Sequence, residues 1–262
     1  MVRYLRLYAY FVRFSFSRAL EFRTDFFFRV VMDAVFYAVH IAFWSVLYEH
    51  TDILGGWTRD KIYIFAASYF MIDALHMTIF SNNAWWLPIF INKGDLDYYL
   101  VRPVSPLFFL SFRDFAANSF LNLLLAAGLL IFMIARYPDP LGAMNIALYL
   151  VLLFCGFLIH YMVYMMFIIP AFWTHTDQGL RDLFFNIERL AEYPHRVYTG
   201  WARRIIVSVA PFALMTSYPC MLLFEGGSVS LFLHTAAVLA GTFGAMVFLW
   251  RLGLRSYASA SS

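Results

Sequence analysis

Long apolar runs alternate with short polar stretches along the chain, and this alternation predicts helices that cross a membrane. Within each apolar run, polar and apolar residues do not alternate one by one as they do in the strands of a membrane β-barrel, which are only about ten residues long. Five runs reach the length of a membrane-spanning helix, about 20 residues: 26–47, 62–80, 107–135, 144–172 and 231–249. The pattern therefore predicts an all-α polytopic membrane protein built as one transmembrane domain over residues 1–262.

The region between the fourth and last runs allows two interpretations. Residues 177–193 carry five charges on one arc of a helical wheel, and residues 205–224 are apolar but contain Pro211 and Pro219. By hydropathy alone, the first is an amphipathic cytoplasmic helix and the second is the fifth of six spans. Charges that cross lipid are costly unless they face protein or water. The five charges belong to Arg181, Asp182, Glu188, Arg189 and Glu192.

The N-terminal residues 3–23 predict an amphipathic helix that lies in the membrane interface. Polar side chains recur there every three or four residues, which places them on one stripe of a helix. Such a basic, amphipathic helix is typical of the cytoplasmic membrane surface. The alternative is a simple extension of the first span. The stripe consists of Arg3, Arg6, Tyr10, Arg13, Ser17 and Glu21.

A compact polar segment, residues 82–106, separates the second and third apolar runs. We expect a short helix from Leu96 to Val101, capped by Asp95 and followed by Pro103. Aromatic residues of the kind enriched at membrane surfaces flank its charges. The residues alone fit either a cytoplasmic docking element or an ordinary loop between helices. The aromatic residues are Trp85, Trp86, Tyr98 and Tyr99.

Composition supports an integral membrane protein. The chain is 63% hydrophobic and 13% charged, whereas soluble proteins carry roughly 25% charged residues. Its mean hydropathy is +0.70. Cys155 and Cys220 both lie in apolar runs, so we expect no disulfide or zinc framework. The basic N-terminus lacks the pattern of a removable signal peptide.

The distribution of basic residues predicts the orientation. With six spans by hydropathy and the N-terminus inside, only Arg59, Lys61 and Arg136 lie outside. This bias predicts cytoplasmic termini and a cytoplasmic 82–106 segment. Moving 177–193 into the membrane transfers three more arginines outward and leaves the orientation unchanged. The inner basic residues are Arg3, Arg6, Arg13, Arg18, Arg23, Arg29, Lys93, Arg102, Arg113, Arg181, Arg189, Arg196, Arg203, Arg204, Arg251 and Arg255.

Motifs for chemistry within the chain are missing from the sequence. It contains no Gly-x-x-x-x-Gly-Lys-Ser/Thr loop for ATP, no His-Glu-x-x-His and no Gly-x-Ser-x-Gly. The seven histidines show no close metal-ligand spacing. We interpret His160 and His234 as packing residues in apolar helices. We therefore expect no catalytic, cofactor or metal site in this chain.

Asp33 and Asp73 are acidic residues inside the first two spans, at similar predicted depth. Arg29 precedes Asp33 by one helical turn and can pair with it. Ionisable residues inside a membrane are functional candidates by default. The favoured interpretation is a structural ion pair, and the alternative is a proton or substrate site in an ion-coupled secondary transporter.

In the order of its elements, the chain resembles the membrane subunit of a type-2 ABC (ATP-binding cassette) exporter. More closely, it resembles a permease family of similar length that was once catalogued as a domain of unknown function. The resemblance covers nearly the whole chain and rests on an ordered set of short motifs. These are Gly94-Asp95-Leu96-Asp97, Leu100, Arg102-Pro103, Phe172-Trp173, Tyr193-Pro194, Trp201, Arg204, Pro211, Tyr218-Pro219 and Gly226-Gly227.

The resemblance implies a coupling helix within Gly94–Pro103 that docks on a dimer of nucleotide-binding ATPase subunits. It implies Asp95, Asp97 and Arg102 as polar contacts there, and Leu96 and Leu100 as apolar anchors. ATP and Mg²⁺ would bind to the ATPase subunits, not to this chain.

The resemblance also implies a second permease chain, identical or homologous, in the inner membrane, and no nucleic acid. It favours 177–193 as the fifth span and 205–224 as a re-entrant hairpin broken at Pro211 and Pro219, because two prolines suit a hairpin better than a straight span.

Overall fold

The computed structural model describes residues 2–19, 23–176, 178–209 and 211–257, and within these residues the chain is helical and contains no strand. The predicted all-α membrane fold is confirmed at this level. Thirteen α-helices follow one another: α1 Val2–Ala19, α2 Arg23–Leu47, α3 Arg59–His76, α4 Asn82–Lys93, α5 Asp97–Leu100, α6 Pro106–Phe112, α7 Phe120–Ala135, α8 Ala143–Ile168, α9 Ala171–Thr174, α10 Gln178–Glu188, α11 Gly200–Arg204, α12 Ser217–Glu225 and α13 Val229–Ser256.

Five helical stretches in the described part of the chain are long and apolar enough to cross a membrane. Their bounds are Val30–Leu47, Arg59–Lys93, Ala117–Ala135, Ala143–Thr174 and Val229–Ser256. Each overlaps one of the five apolar runs in the sequence. The helices between Thr174 and Val229 are shorter and are interrupted by turns.

Contacts between loops define the two ends of this bundle. At one end, which we call the Gly94 end, the side chain of Asn92 donates to the backbone oxygen of His175 at 2.7 Å. At the other, the Gly55 end, a Cβ placed on Gly55 would lie 3.3 Å from the Val197 side chain. The chain therefore passes from the Gly94 end to the Gly55 end between residues 175 and 197.

The predicted third span, residues 107–135, is wrong in its first part. The helix α6 ends at Phe112, residues 113–116 are irregular, and the long helix α7 begins only at Phe120. A break at this place exposes backbone groups that need partners. The side chain of Asn83 supplies two of them, accepting from the Asp114 N–H at 2.7 Å and donating to its carbonyl at 2.8 Å.

The helix opposite this break contains a π-helical turn, Met77–Ser81, that joins α3 to α4. Within it, the carbonyl of Thr78 accepts from the backbone N–H of Ala116 at 2.8 Å, so the turn bonds to a group outside its own helix. The π turn and the break therefore satisfy each other's backbone. Such turns are frequent at functional positions in helices.

The helix α1 packs on α6 through aromatic side chains. The hydroxyl of Tyr4 also accepts from the backbone N–H of Ser105 at 3.3 Å, just before α6 begins. These contacts attach the N-terminal helix to the segment that follows α5. The ring centres lie 4.6 to 5.6 Å apart in three pairs: Tyr4–Phe108, Tyr8–Phe112 and Phe11–Phe109.

Between α10 and α13 the chain enters the bundle from the Gly55 end and turns back. It descends through α11 and the π-helical turn Ile205–Val209, reverses around Pro211, and returns along α12. Pro211 therefore lies at the reversal of the chain. Pro219 does not break a helix, because it occupies the first turn of α12, where its missing N–H has no helical partner to lose.

The reversal packs tightly on α8. A Cβ on Gly156 would lie only 2.5 Å from the backbone oxygen of Met215 and 2.7 Å from its Cα. Because those atoms are backbone, they cannot move aside as a side chain would. Beyond this contact, the Ser68 hydroxyl lies 2.7 Å from the Tyr149 hydroxyl and 3.4 Å from the Cys220 sulfur, which joins α3, α8 and α12 in a buried polar contact.

We predict that Gly156→Ala loosens the reversal. The added methyl group forces the backbone near Met215 to shift, which costs about 1–3 kcal/mol of unfolding free energy. Thermal unfolding of the purified protein in detergent measures the effect. The matched control is Gly128→Ala in α7, where a Cβ meets nothing within 4 Å. Equal unfolding temperatures for the two variants would contradict the tight approach.

Candidate functional site

The segment Gly94–Pro103 is held rigidly at one end of the molecule. The helix α4 ends at Lys93 because Gly94 adopts a left-handed conformation, with φ of 76°, which favours glycine. The N–H of Leu96 then donates to the carbonyl of Phe90 at 3.2 Å, which folds the chain back onto α4. The short helix α5 follows as Asp97–Leu100. The prediction that Asp95 caps this helix is wrong, because Leu96 occupies the capping position and no side chain caps there.

The structure separates the predicted contact residues into buried and exposed groups. Leu96 is 0% exposed and packs within this chain, while Leu100, Asp95 and Asp97 are half-buried. Arg102 and Pro103 are exposed. Two large side chains that were not among the expected contacts are more exposed on this surface, Tyr98 at 68% and Val101 at 82%.

Arginine side chains stiffen the segment from both sides. The Nε of Arg102 donates to the carbonyl of Tyr98 at 3.2 Å, and its guanidinium carbon lies 5.3 Å from the centre of the Phe109 ring. The guanidinium of Arg113 donates to the Tyr99 hydroxyl. Both arginines therefore hold α5 against α6. Arg102 thus stabilises the segment and is also exposed on its surface.

The C-terminal end of α13 also reaches this segment. Tyr257 packs against Phe172, with ring centres 6.2 Å apart. Burial, and after it the charge of Asp97, raises the pKa of Tyr257. The α4–α5 segment and the C-terminal end of α13 thus meet around Asp97 at the Gly94 end.

The charges predicted inside the first two spans lie within a wider polar cluster. Asp33 and Asp73 are half-buried on α2 and α3, and both act electrostatically on Tyr37, whose hydroxyl donates to the Asn122 side chain at 2.7 Å. The side chain of Arg29 lies outside the described residues, so its pairing with Asp33 stays a prediction.

The sequence analysis missed the contact that completes this cluster. His160 in α8 lies with its Nε2 3.0 Å from Oε1 of Glu188 in α10, and both side chains are buried. His76 stacks on one face of the His160 ring at 4.4 Å, and Phe184 lies parallel to that ring at 5.7 Å. The two groups are not aligned as a hydrogen bond, so the pair is a close polar contact between two buried side chains. His160 is therefore more than a packing residue.

A buried histidine in an apolar helix is itself a signal that a partner exists. The sequence could not say which carboxylate it was, because Glu188 shares an arc with four other charges. In the described part of the chain, no group of three or more His, Cys, Asp and Glu side chains has the arrangement of a metal site.

At the other edge of the charged arc from Glu188, α10 and the turn after it leave polar residues exposed. Asp182, Asn186 and Arg189 recur at intervals of four and three, which places them on one face. Leu183 beside them is also exposed, at 46%, and Tyr193 follows in an extended conformation. The guanidinium carbon of Arg181 lies 3.8 Å from the centre of the Trp85 ring of the same chain. The helix thus buries Glu188 and leaves Asp182 exposed.

We predict that Glu188→Leu lowers the unfolding free energy by about 3–5 kcal/mol, because it leaves His160 buried without its partner. Glu188→Gln keeps a polar oxygen and should cost less, about 1–2 kcal/mol. Thermal unfolding in detergent gives the order. Asp182→Asn, on the exposed face of the same helix, is the control. If the Glu188→Leu variant is as stable as that control, the anchoring role is excluded.

Comparison with known proteins identifies a family. Residues 34–261 match a family model described as ABC-2 family transporter protein. No curated protein matches the chain, and no solved structure matches it.

Proposed function

The chain belongs to the ABC-2 family of transporter proteins, and from this premise we propose that it is the membrane-spanning subunit of an ABC exporter. In this proposal it forms half of the translocation pathway, and a separate dimer of ATPase subunits binds ATP and Mg²⁺. The observation that carries the proposal is the Gly94–Pro103 segment, an exposed surface on a rigid support.

The exposure of side chains in the segment supports a narrower set of contacts to the ATPase than the one expected from the sequence. Tyr98, Val101 and Arg102 form the exposed face of the segment, and exposed aromatic and arginine side chains are those that dominate binding at interfaces. Leu96 is buried, so in the refined proposal it anchors α5 to its own chain instead of to the partner. Asp97 and Leu100, which are half-buried, lie at the rim of this face.

A force on this surface would pass into the membrane domain through the helix that precedes the segment. The segment follows a continuous helical stretch, Arg59–Lys93, that is 35 residues long. At 1.5 Å per residue this stretch exceeds the roughly 30 Å of a hydrocarbon core. We therefore propose that α4 projects beyond the membrane and carries the load from the ATPase to α3, while α1 lies in the interface and braces α6.

We further propose that α10 with the turn Arg189–Glu192 is the fifth of six crossings. The contacts Asn92–His175 and Gly55–Val197 support this, because they lie at opposite ends of the bundle and flank α10. The excursion through α11 and α12 is then a re-entrant hairpin on the outer side. Both termini and the Gly94 end face the cytoplasm of an inner membrane, in agreement with the excess of inner basic residues.

The exposed polar residues on α10 support a second permease chain. A helix that crosses the membrane cannot turn Asp182 and Arg189 toward lipid without a large cost. A partner chain, identical or homologous, would cover these residues or enclose a polar path along them. The exposed apolar face of α2, with Met32 at 68% and Val39 at 63% exposure, remains available to lipid or to the same partner.

We predict that Val101→Asp together with Arg102→Glu abolishes recovery of the ATPase subunit. The change places two negative charges on the proposed docking face. The measurement is a mild-detergent pull-down of the tagged chain from its native membrane, with partners identified by mass spectrometry. A milder variant, Asp97→Lys with Arg102→Glu, tests the polar contacts alone.

The control for this experiment is Ile53→Asp, an exposed apolar residue at the Gly55 end. It should leave ATPase recovery unchanged. If the wild-type chain recovers no ATPase even after crosslinking, the exporter proposal fails. Asp33 and Asp73 then become the working carboxylates of an ion-coupled transporter.

We predict that a cysteine at Thr199 is labelled from outside the cell and a cysteine at Gln178 only after permeabilisation. A membrane-impermeant maleimide on intact cells measures both, in a background in which Cys155 and Cys220 are replaced by serine. Labelling of both positions only after permeabilisation would return residues 177–193 to the cytoplasm.

A further inference from the structure

A pocket opens beside the hairpin at the Gly55 end, between the π turn Ile205–Val209, α12 and α13. Two adjoining cavities, of about 580 Å³ and about 420 Å³, share Val207 and Tyr218 as walls. The first is lined at its mouth by Trp201, Arg203 and Arg204, and the second leads away from them. The second cavity is lined in addition by Met221, Ser228, Ser230, Leu231 and His234.

The mouth of the pocket carries positive charge that the described residues do not balance. Arg203 and Arg204 are exposed, and neither forms an ion pair within the described part of the chain. The nearby carboxylate of Glu225 is already engaged, because both of its oxygens accept from Arg196 at 2.7 and 2.6 Å. That pairing also holds the pKa of Glu225 below its usual value.

His195 does not change the charge at the mouth of the pocket at neutral pH. Burial, followed by the charges of Arg203 and Arg196, lowers the pKa of His195 to about 4. At neutral pH this imidazole is therefore uncharged. Neither Glu225 nor His195 therefore offers the arginine pair a free negative charge.

Beyond the arginines an apolar strip continues along the pocket. Trp201 is 76% exposed at its rim, where an amphipathic indole is typical of a membrane–water boundary. Val207, Met221 and Leu231 form the strip. The polar side chains beside it form hydrogen bonds within the chain; they are Ser228, Ser230 and His234. A soluble anion would use only the mouth, whereas an amphiphile with an anionic head and an acyl chain would use both parts.

We propose that this pocket binds an anionic phospholipid of the surrounding bilayer. The guanidinium groups of Arg203 and Arg204 hold the phosphate of the headgroup, and one acyl chain lies along the furrow between the π turn and α13. The inference rests on the pocket itself and needs no ATPase partner. The proposed orientation enters only in assigning the lipid to the outer leaflet.

The test is native mass spectrometry of the purified full-length chain from mixed micelles. The micelles contain phosphatidylglycerol and phosphatidylcholine in equal amounts and with the same acyl chains. We expect the wild-type protein to retain phosphatidylglycerol preferentially, and Arg203→Gln with Arg204→Gln to reduce that preference by about tenfold. Arg203→Lys with Arg204→Lys should keep most of it, because the charge remains.

The control variant is Arg136→Gln, an exposed arginine at the same end that lies over the Phe132 ring. It should leave the lipid preference unchanged. Thermal unfolding in phosphatidylcholine alone verifies that the double variant is folded. A preference that survives in the double variant, or that falls equally in the control, overturns the assignment. Displacement of the lipid by inorganic phosphate alone overturns it in favour of a soluble anion.

Discussion

The contact between His160 and Glu188 determines how α10 sits in the molecule. A buried carboxylate without a partner is expensive, so the helix must rotate until Glu188 faces α8. Because the helix is rigid, that rotation also fixes the direction in which the rest of the charged arc points. Asp182 and Arg189 are thereby turned away from the core of their own chain. One buried pair thus creates both an attachment inside the chain and a polar surface outside it.

The need of buried polar groups for partners also explains the irregular places in the long helices. The π turn around Thr78 and the break around Asp114 would each be costly alone, because backbone groups in an apolar surrounding need partners. Together they bond to one another through Ala116 and Asn83. Two deviations from ideal helices therefore form one stable junction. The junction lies on the helix that leads to the Gly94–Pro103 segment, between that segment and the core.

Sequence reasoning located the long helices because hydropathy is a local property that a window of residues contains in full. It failed where the deciding contact joins distant positions. The break after Phe112 depends on Asn83, and the partner of His160 is 28 positions away at Glu188, since 188 − 160 = 28. Leu96 was expected to contact a partner because of the family resemblance, yet its backbone bond to Phe90 accompanies a fully buried side chain. Pattern predicted which residues form helices, and packing decided which faces remain available.

These constraints bear on how a force at the Gly94 end could act. The helix α4 contains Pro88, which removes one backbone bond, and it begins at the π turn, where the bonding pattern changes. Such places absorb bending in an unsupported helix. Here Asn83 braces the π turn against Asp114, and Asn92 ties the far end to His175, next to the start of α10. In the proposed exporter, a displacement of the segment would therefore be divided between α3 and α10, and α10 is the helix that carries the exposed polar residues.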